Sequence, residues 1–320
     1  MSRAAGTSIV DCAKYRTKLL PLCEGLARSA GRDANTFVRK AALASGRLPP
    51  SLRTALNEFR LRGNRDGYLL LRGMPFTDSE NCEACLALVG SRLGDLAGYA
   101  QEQGGALFHD VVPEKSEERE QSAASSRVRL KLHTERCFHP YMPSHVLLGC
   151  LRPDPAGKGL TEVASARRLL PRVAARHLPV LFEPRYRTGI DYSFGNIATR
   201  KGNGPVLPVL YGSPDDPCLR YDLDLMVGLD SRAREALAAV KRATLRACVG
   251  ISLRTGDLLV IDNRRAVHGR SAFRAGYREG DRWLKRAYLV GDLSAIPDRL
   301  PGSRVVRTRF GPDLSRPAPR

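Results

Sequence analysis

The sequence has few aromatic residues, no long hydrophobic run and no recognisable export signal. Among its 320 residues, 6% are aromatic and one is tryptophan. No apolar stretch reaches the roughly 20 residues that a membrane-spanning helix needs, and residues 1–32 lack the apolar core and cleavage site of a signal peptide. We therefore expect a cytoplasmic protein without a membrane partner.

Several common enzyme signatures are also missing. No GxGxxG, phosphate-binding-loop or GxSxG pattern stands between a predicted strand and a predicted helix, which argues against nucleotide-binding and acyl-transfer enzymes. The eight cysteines are scattered along the chain. The CxxC formed by Cys82 and Cys85 has no second motif at zinc-site spacing, so we expect reduced thiols.

Basic residues outnumber acidic ones, and the net charge is +19. Such a charge is compatible with nucleic-acid binding. The basic residues nevertheless recur along the whole chain without a compact tract, and few aromatic residues lie among them, so we expect no specific nucleic-acid partner. A basic nucleic-acid-binding protein is the alternative from a different class, and a steeply salt-dependent affinity for DNA or RNA would favour it.

The spacing of apolar residues changes near residue 67. Before it, apolar residues recur at helical spacing; after it, short apolar strands alternate with glycine and proline turns. This order predicts an α+β fold, with a double-stranded β-helix (jelly-roll) core and flanking helices. We expect one domain over 1–301, helical at 1–66 and with its core at 67–301, followed by a basic, flexible tail at 302–320. Two polar segments are candidate lids: 113–126 and 186–208.

A candidate metal site begins in the segment LKLHTERCFHP, residues 130–140. Alternate side chains of a strand share a face, so His133 and Glu135 can point at one ion. His268 follows a strongly apolar strand and a polar turn, and it could supply a third ligand. Two imidazoles and one carboxylate suit non-heme Fe(II) with open positions for an oxo acid and O₂. Each piece alone is more often structural.

Two residues could bind a dicarboxylate co-substrate. Arg282 starts the predicted strand that follows His268, and its guanidinium could bind the distal carboxylate of 2-oxoglutarate through two hydrogen bonds. Thr161 could add a hydroxyl to the same carboxylate. Residues 262–264, which precede His268, are expected to shape the turn that orients it.

These motifs resemble those of the clavaminate synthase-like branch of the Fe(II)/2-oxoglutarate-dependent oxygenases, and in particular its amino-acid hydroxylases of the viomycin-pathway arginine hydroxylase type. The resemblance covers roughly residues 67–293, in family order and at family-like separations. That branch has Glu where most of the superfamily has Asp, which agrees with Glu135. Four segments carry the resemblance: HTERCFHPYMPSHVLLGCLRPDPAGKGLT, LRYDLDLM, GDLLVIDNRRAVHGRSAF and DRWLKR.

The resemblance implies a non-heme iron dioxygenase that uses Fe(II), 2-oxoglutarate and O₂. It also implies a role for Arg286, which would lie near a carboxylate of the substrate or co-substrate. The implied iron ligands and 2-oxoglutarate-binding residues are, respectively, His133, Glu135 and His268, and Thr161 and Arg282.

On the substrate side, Gln103 falls where the amino-acid hydroxylases place a glutamine near the substrate backbone, with Gln101 as a competing alignment. Without the family context, we would expect Asp222 and Asp224 to form a solvated turn or to cap the next helix. Arginine hydroxylases of this branch carry an aspartate pair in the matching motif to receive the guanidinium, so the pair implies a cationic substrate.

We therefore expect a hydroxylase of a free, cationic amino acid, arginine or an arginine-like or lysine-like compound, acting at C3 or C4 in natural-product (antibiotic) biosynthesis. Glu135 favours hydroxylation over halogenation, because related halogenases leave that ligand position vacant. Two alternatives within the family stay open. One is desaturation or cyclisation, and the other is an oxygenase for a carrier-bound or macromolecular substrate.

Overall fold

The structure is a computed structural model that describes residues 7–29, 33–190, 194 and 201–308. The middle of the second candidate lid and the end of the predicted tail lie outside these residues. Within them the chain is a mixture of helices and many short strands. None of their helices combines the length and apolarity that crossing a bilayer requires.

The N-terminal part is mainly helical, as its periodicity predicts. The side chains of Asp33 and Asp78 cap two of the helices by accepting hydrogen bonds from the backbone N–H groups of Thr36 and Asn81. The helices are α1 (Arg16–Ala27), α2 (Ala34–Ser45), α3 (Pro50–Arg62), α4 (Ser79–Gly90), the short α5 (Ala166–Leu169) and α6 (Leu178–Leu181), and α7 (Ser231–Ala247).

The strands are, in chain order, β1 (Ile9–Asp11), β2 (Tyr68–Arg72), β3 (Asp95–Leu96), β4 (Gly98–Tyr99), β5 (Phe108–Val111), β6 (Leu130–His133), β7 (His145–Arg152), β8 (Thr161–Ser165), β9 (Tyr186–Arg187), β10 (Val206–Leu207), β11 (Leu210–Tyr211), β12 (Cys218–Leu219), β13 (Val227–Gly228), β14 (Val249–Ile251), β15 (Leu258–Asp262), β16 (Ala266–Arg270), β17 (Trp283–Val290) and β18 (Val305–Val306). The larger sheet has the order β1-β2-β15-β7-β17-β3, with β5 also on β17. A second sheet has the order β14-β8-β16-β6. These two sheets carry the residues of interest.

Both ends of the described chain differ from the sequence prediction. Strand β1 lies in the segment with helical periodicity, because its backbone pairs in parallel with β2. At the other end, β18 pairs in parallel with β4, so residues 302–308 of the predicted tail lie against the core. In both places the strand forms because it pairs with a strand that is distant in sequence. Two or three residues are too few to show a periodicity from which the strand could be predicted.

The two main sheets pack face to face. Val146 and Leu148 of the larger sheet belong to one buried cluster with Val163, Ile251 and Ala266 of the smaller sheet. The other face of the larger sheet packs on α1–α4, and the other face of the smaller sheet packs on α7. Strand β15 is covered on both faces and is buried along its whole length.

The register of β16 against β6 and β8 fixes the position of the smaller sheet's polar residues. His268 lies opposite His133 on β6 and opposite Val163 on β8. A register shift follows His268 on the β6 side. A Cβ atom at Gly269 would lie 2.4 Å from the backbone oxygen of Leu130, so this close strand approach requires glycine.

We predict that Gly269→Ala pushes β16 away from β6 and lowers the free energy of unfolding by about 1–3 kcal/mol. Chemical denaturation measures this change. Gly291→Ala is the matched control, because a Cβ there meets no atom within 4 Å and should change stability by less than about 0.5 kcal/mol. Equal effects of the two substitutions would contradict the steric argument.

Candidate active site

A cavity of about 370 Å³ opens between the two main sheets. Gln101, the competing alignment for the glutamine, is absent from its lining, and its side chain instead donates to the backbone oxygen of Thr308. Every residue that the sequence assigned to the site lines this one cavity: Gln103, His133, Glu135, Thr161, Asp222, Asp224, His268, Arg282 and Arg286.

Three of these side chains converge. The Nε2 atoms of His133 and His268 lie 3.9 and 3.4 Å from Oε2 of Glu135, and one ligand atom of each residue lies within 4.8 Å of the other two. Neighbouring ligands of an octahedral ion are separated by about 3 Å. The three atoms therefore surround a volume that fits one metal ion after a small contraction.

The surroundings of the imidazoles also fit a metal. Nδ1 of His133 lies 2.9 Å from the backbone oxygen of Lys131, which favours a proton on Nδ1 and makes Nε2, the atom that faces Glu135, the one available to a metal. Nδ1 of His268 is buried and has no hydrogen-bond partner among the described residues. Nε2 is the atom that His268 directs at Glu135.

Glu135 is a carboxylate in this site. Burial would raise its pKa, but hydrogen bonds from His133 and His268 hold the pKa well below its usual range. Burial likewise opposes a charge on His133, yet the hydrogen bond and charge of Glu135 raise the His133 pKa to about 9. The pKa of His268 is lowered, chiefly by burial. A cation that replaces the proton between His133 and Glu135 would satisfy the same carboxylate.

Two buried arginines line the same cavity as the triad. Nη2 of Arg282 lies 3.4 Å from the Thr161 hydroxyl, and Arg270 is the register partner of Thr161. Neither arginine has a carboxylate within ion-pair distance among the residues that the structure describes. Burial lowers the pKa of both to about 10, with Arg282 adding to the effect at Arg270. An anionic ligand would compensate these charges.

Sequence reasoning missed Arg270, although it stands two residues after His268 and so has strand spacing from it. Its guanidinium donates to the backbone oxygens of Ala123 and Val128 and to the Ser125 hydroxyl. The bonds to Ala123 and Ser125 attach the first candidate lid, residues 113–126, to β16. In this structure the segment is a wall of the cavity.

Sequence reasoning also missed Glu102, the neighbour of Gln103. Its carboxylate accepts hydrogen bonds from Arg136 and, at 2.7 Å, from Arg286. Arg136 has a positive φ of 51°, and its guanidinium lies 4.8 Å from the ring of Tyr288. Arg286 is thus paired with Glu102 and also lines the cavity.

Comparison with known proteins identifies the family. Residues 44–288 match the family described as "Taurine catabolism dioxygenase TauD, TfdA family". The chain belongs to this family. It is 35% identical over 301 residues to clavaminate synthase 2 of Streptomyces clavuligerus, covering 89% of this chain and 92% of that protein. It is also 35% identical over 297 residues to L-lysine 3-hydroxylase of Catenulispora acidiphila, covering 87% and 80%.

Solved structures of dioxygenase relatives agree with the fold. A complex of asparagine oxygenase with Fe(II), 2S,3S-3-hydroxyasparagine and succinate superposes with a TM-score of 0.86 at 32% identity, covering 94% of this chain and 99% of that one. A complex of the non-heme iron oxygenase OrfP with Fe and alpha-ketoglutaric acid gives a TM-score of 0.81 at 31% identity, covering 93% and 99%. The chain is therefore an enzyme of the non-heme iron dioxygenase type.

In this dioxygenase, Asn263 fixes the loop that carries Glu135. Its Oδ1 accepts from the backbone N–H of Glu135 at 2.8 Å, and its Nδ2 donates to the backbone oxygens of Glu135 and Pro143 at 3.1 and 2.8 Å. Asn263 lies in the turn between β15 and β16, five residues before His268. One amide thus couples two ligand-bearing segments, within the 262–264 turn that the sequence expected to orient the histidine.

We predict that Asn263→Ala weakens Fe(II) binding about 10-fold or more and lowers the free energy of unfolding by about 2–3 kcal/mol, because buried hydrogen bonds are lost. Metal titration and chemical denaturation measure the two effects. Asn57→Ala is the control, because Asn57 bonds Arg92 between α3 and α4, away from the cavity. It should leave iron affinity unchanged. Wild-type iron affinity in Asn263→Ala would contradict the coupling.

Proposed function

We propose that this dioxygenase hydroxylates a free, cationic amino acid, arginine or an arginine-like or lysine-like compound, at C3 or C4 in natural-product biosynthesis. One observation carries the proposal. The His133, Glu135 and His268 triad lies in a single cavity that also holds the buried arginine pair and the acidic turn at Asp222. Such a cavity can bind an oxo acid on the ion and a cationic amino acid beside it.

We further propose a double-stranded β-helix (jelly-roll) core within a single domain over residues 1–301. Two sheets share one buried cluster, and their strands pair antiparallel except for β1 with β2, which supports this architecture. The family match over residues 44–288 includes most strands of both sheets.

The metal and co-substrate would be held by the residues described above. His133, Glu135 and His268 would bind Fe(II), while Arg282, Arg270 and Thr161 would bind the distal carboxylate of 2-oxoglutarate. When bound, Fe(II) with 2-oxoglutarate and O₂ supplies the oxidation that inserts one oxygen atom into a C–H bond and forms succinate and CO₂. The burial of Arg282 and Arg270 keeps water from competing for that carboxylate.

The other side of the cavity would orient the amino acid. Arg286 would bind its α-carboxylate, and Glu102 with Gln103 would bind its α-ammonium group. Asp222 would receive the cationic end of the side chain. Fixing both ends leaves one carbon facing the metal, which is how position selectivity arises.

The relatives support a basic substrate. They include the L-lysine 3-hydroxylase and the L-ornithine/L-arginine 3-hydroxylase of Catenulispora acidiphila, and OrfP in complex with Fe, succinate and (3S)-hydroxy-L-Arg. Desaturation or cyclisation is the alternative outcome on the same site. Product mass separates the two, because hydroxylation adds one oxygen atom and the alternatives remove two hydrogens.

We predict that at least one of L-arginine, L-lysine and L-ornithine stimulates succinate release from 2-oxoglutarate and gains one oxygen atom. His268→Ala should lose both bound iron and succinate release, because one ligand is removed. His177→Ala should keep both, since His177 does not line the cavity. The proposal fails if no amino acid stimulates turnover while His268→Ala retains its iron.

We also predict that Arg282→Ala raises the KM for 2-oxoglutarate about 10- to 100-fold, because charge-assisted hydrogen bonds to a carboxylate are lost in a buried site. Initial rates at varied 2-oxoglutarate measure this effect. Arg278→Ala is the control, since Arg278 is an exposed arginine on the preceding loop. An unchanged KM in Arg282→Ala would show that Arg282 does not bind the co-substrate.

A further inference from the structure

A cationic side chain of the protein, the partly exposed Lys131, lies in the part of the cavity where the substrate's cationic end is proposed to bind. Nζ of Lys131 lies 2.5 Å from Oδ1 of Asp224, and both residues line the cavity with Asp222. Lys131 stands two residues before His133 on β6. The strand that carries a proposed metal ligand therefore also carries this ammonium group.

The backbone restricts where both partners of this ion pair can lie. The N–H of Lys131 donates to Oε1 of Gln121, and its backbone oxygen faces the His133 ring. The N–H groups of Asp224 and Leu225 both donate to Oδ1 of Asp222 at 2.8 Å. The contact is thus between two fixed segments, although long side chains form it.

The turn is also bound to β6 directly. The backbone N–H of Leu223 donates to the oxygen of Leu132, and the N–H of Thr134 donates to the oxygen of Tyr221. Because these hydrogen bonds hold the turn against the strand, Lys131 and Asp224 face each other as a consequence of the fold.

The ion pair changes the charge that a substrate meets. Asp222 and Asp224 alone would present two negative charges, whereas Lys131 reduces the local sum to one. Asp222 has one oxygen occupied by backbone N–H groups, and among the described residues no lysine or arginine forms an ion pair with it. A substrate head group therefore meets one uncompensated carboxylate.

We propose that Lys131 is a specificity-determining residue that acts as an internal counter-ion to Asp224. It leaves Asp222 as the single carboxylate for the substrate's side-chain end. The enzyme consequently discriminates less between a basic amino acid and its neutral isostere than it would with two free carboxylates. This inference rests on the proposed function and deepens it, because it names the residue that sets how strongly the site prefers a side chain with a positive end.

The test compares pairs of amino acids of similar shape that differ in charge: L-arginine with L-citrulline, and L-lysine with L-norleucine. Lys131→Met should raise the preference for the cationic member about five- to tenfold, because Asp224 is released. Asp224→Asn should lower the preference by a similar factor, because the ammonium group of Lys131 is left unpaired. The double variant should return close to the wild type, since both charges are removed.

Two readouts are needed. Dissociation constants are measured with Fe(II) and 2-oxoglutarate present and oxygen excluded, so that binding is seen without turnover. In steady-state kinetics, the variants should change KM for these amino acids, while kcat at saturation should change less than about twofold. Lys241→Met is the matched control, because it removes the same charge from the exposed face of α7 and should leave the preference unchanged.

The outcomes separate the two proposals. If the wild-type enzyme binds none of these amino acids, the proposed function is wrong and the role of Lys131 is wrong with it. If it binds them but Lys131→Met leaves the preference unchanged, lowers it, or changes it no more than Lys241→Met, the counter-ion role alone is overturned. A rise confined to Lys131→Met and reversed in the double variant supports it.

Discussion

The pairing of β16 with β6 is the constraint on which the site depends. It places His268 opposite His133, and Glu135 follows His133 by the two residues that bring its carboxylate to both imidazoles. A slip of one residue would turn His268 to the opposite face of its strand. Gly269 allows the close approach of the two strands, and Asn263 ties the Glu135 loop to the turn before β16. The triad is thus a property of strand register more than of any single loop.

Charge is distributed unevenly around this triad, and this distribution would determine where each ligand binds. The Arg270 and Arg282 side is cationic and lacks an acidic partner among the described residues, so it attracts a carboxylate. On the opposite side, the single charge of Glu102 balances one of the two arginines that it contacts, Arg136 and Arg286. Among the described residues, no lysine or arginine forms an ion pair with Asp222. A dicarboxylate and an amino acid with a cationic end therefore have different preferred positions, and neither ligand should bind productively in the other's place.

Local sequence patterns predicted most of the site residues, but they predicted few of the contacts between residues that are distant in sequence. The HxE spacing, His268 after an apolar strand and Arg282 at the next strand are local signals, and the structure brings all of them to one cavity. Glu102 was missed because its role depends on Arg136 and Arg286, which lie 34 and 184 residues away in sequence. The parallel pairings of β1 with β2 and of β18 with β4 were missed for the same reason. A three-residue or two-residue strand has no periodicity of its own, and only its partner determines it.

The link between Asp222 and His133 limits how independently the substrate region can change. The two residues form a backbone bridge, and hydrogen bonds from Leu223 and Thr134 continue the contact on either side. A substitution that moves the acidic turn would therefore also move the strand end that carries a proposed metal ligand. A change of charge through the flexible side chain of Lys131 needs no such backbone movement. With the proposed role of Lys131, selectivity would be more easily altered at this residue than at the aspartates that it helps to balance.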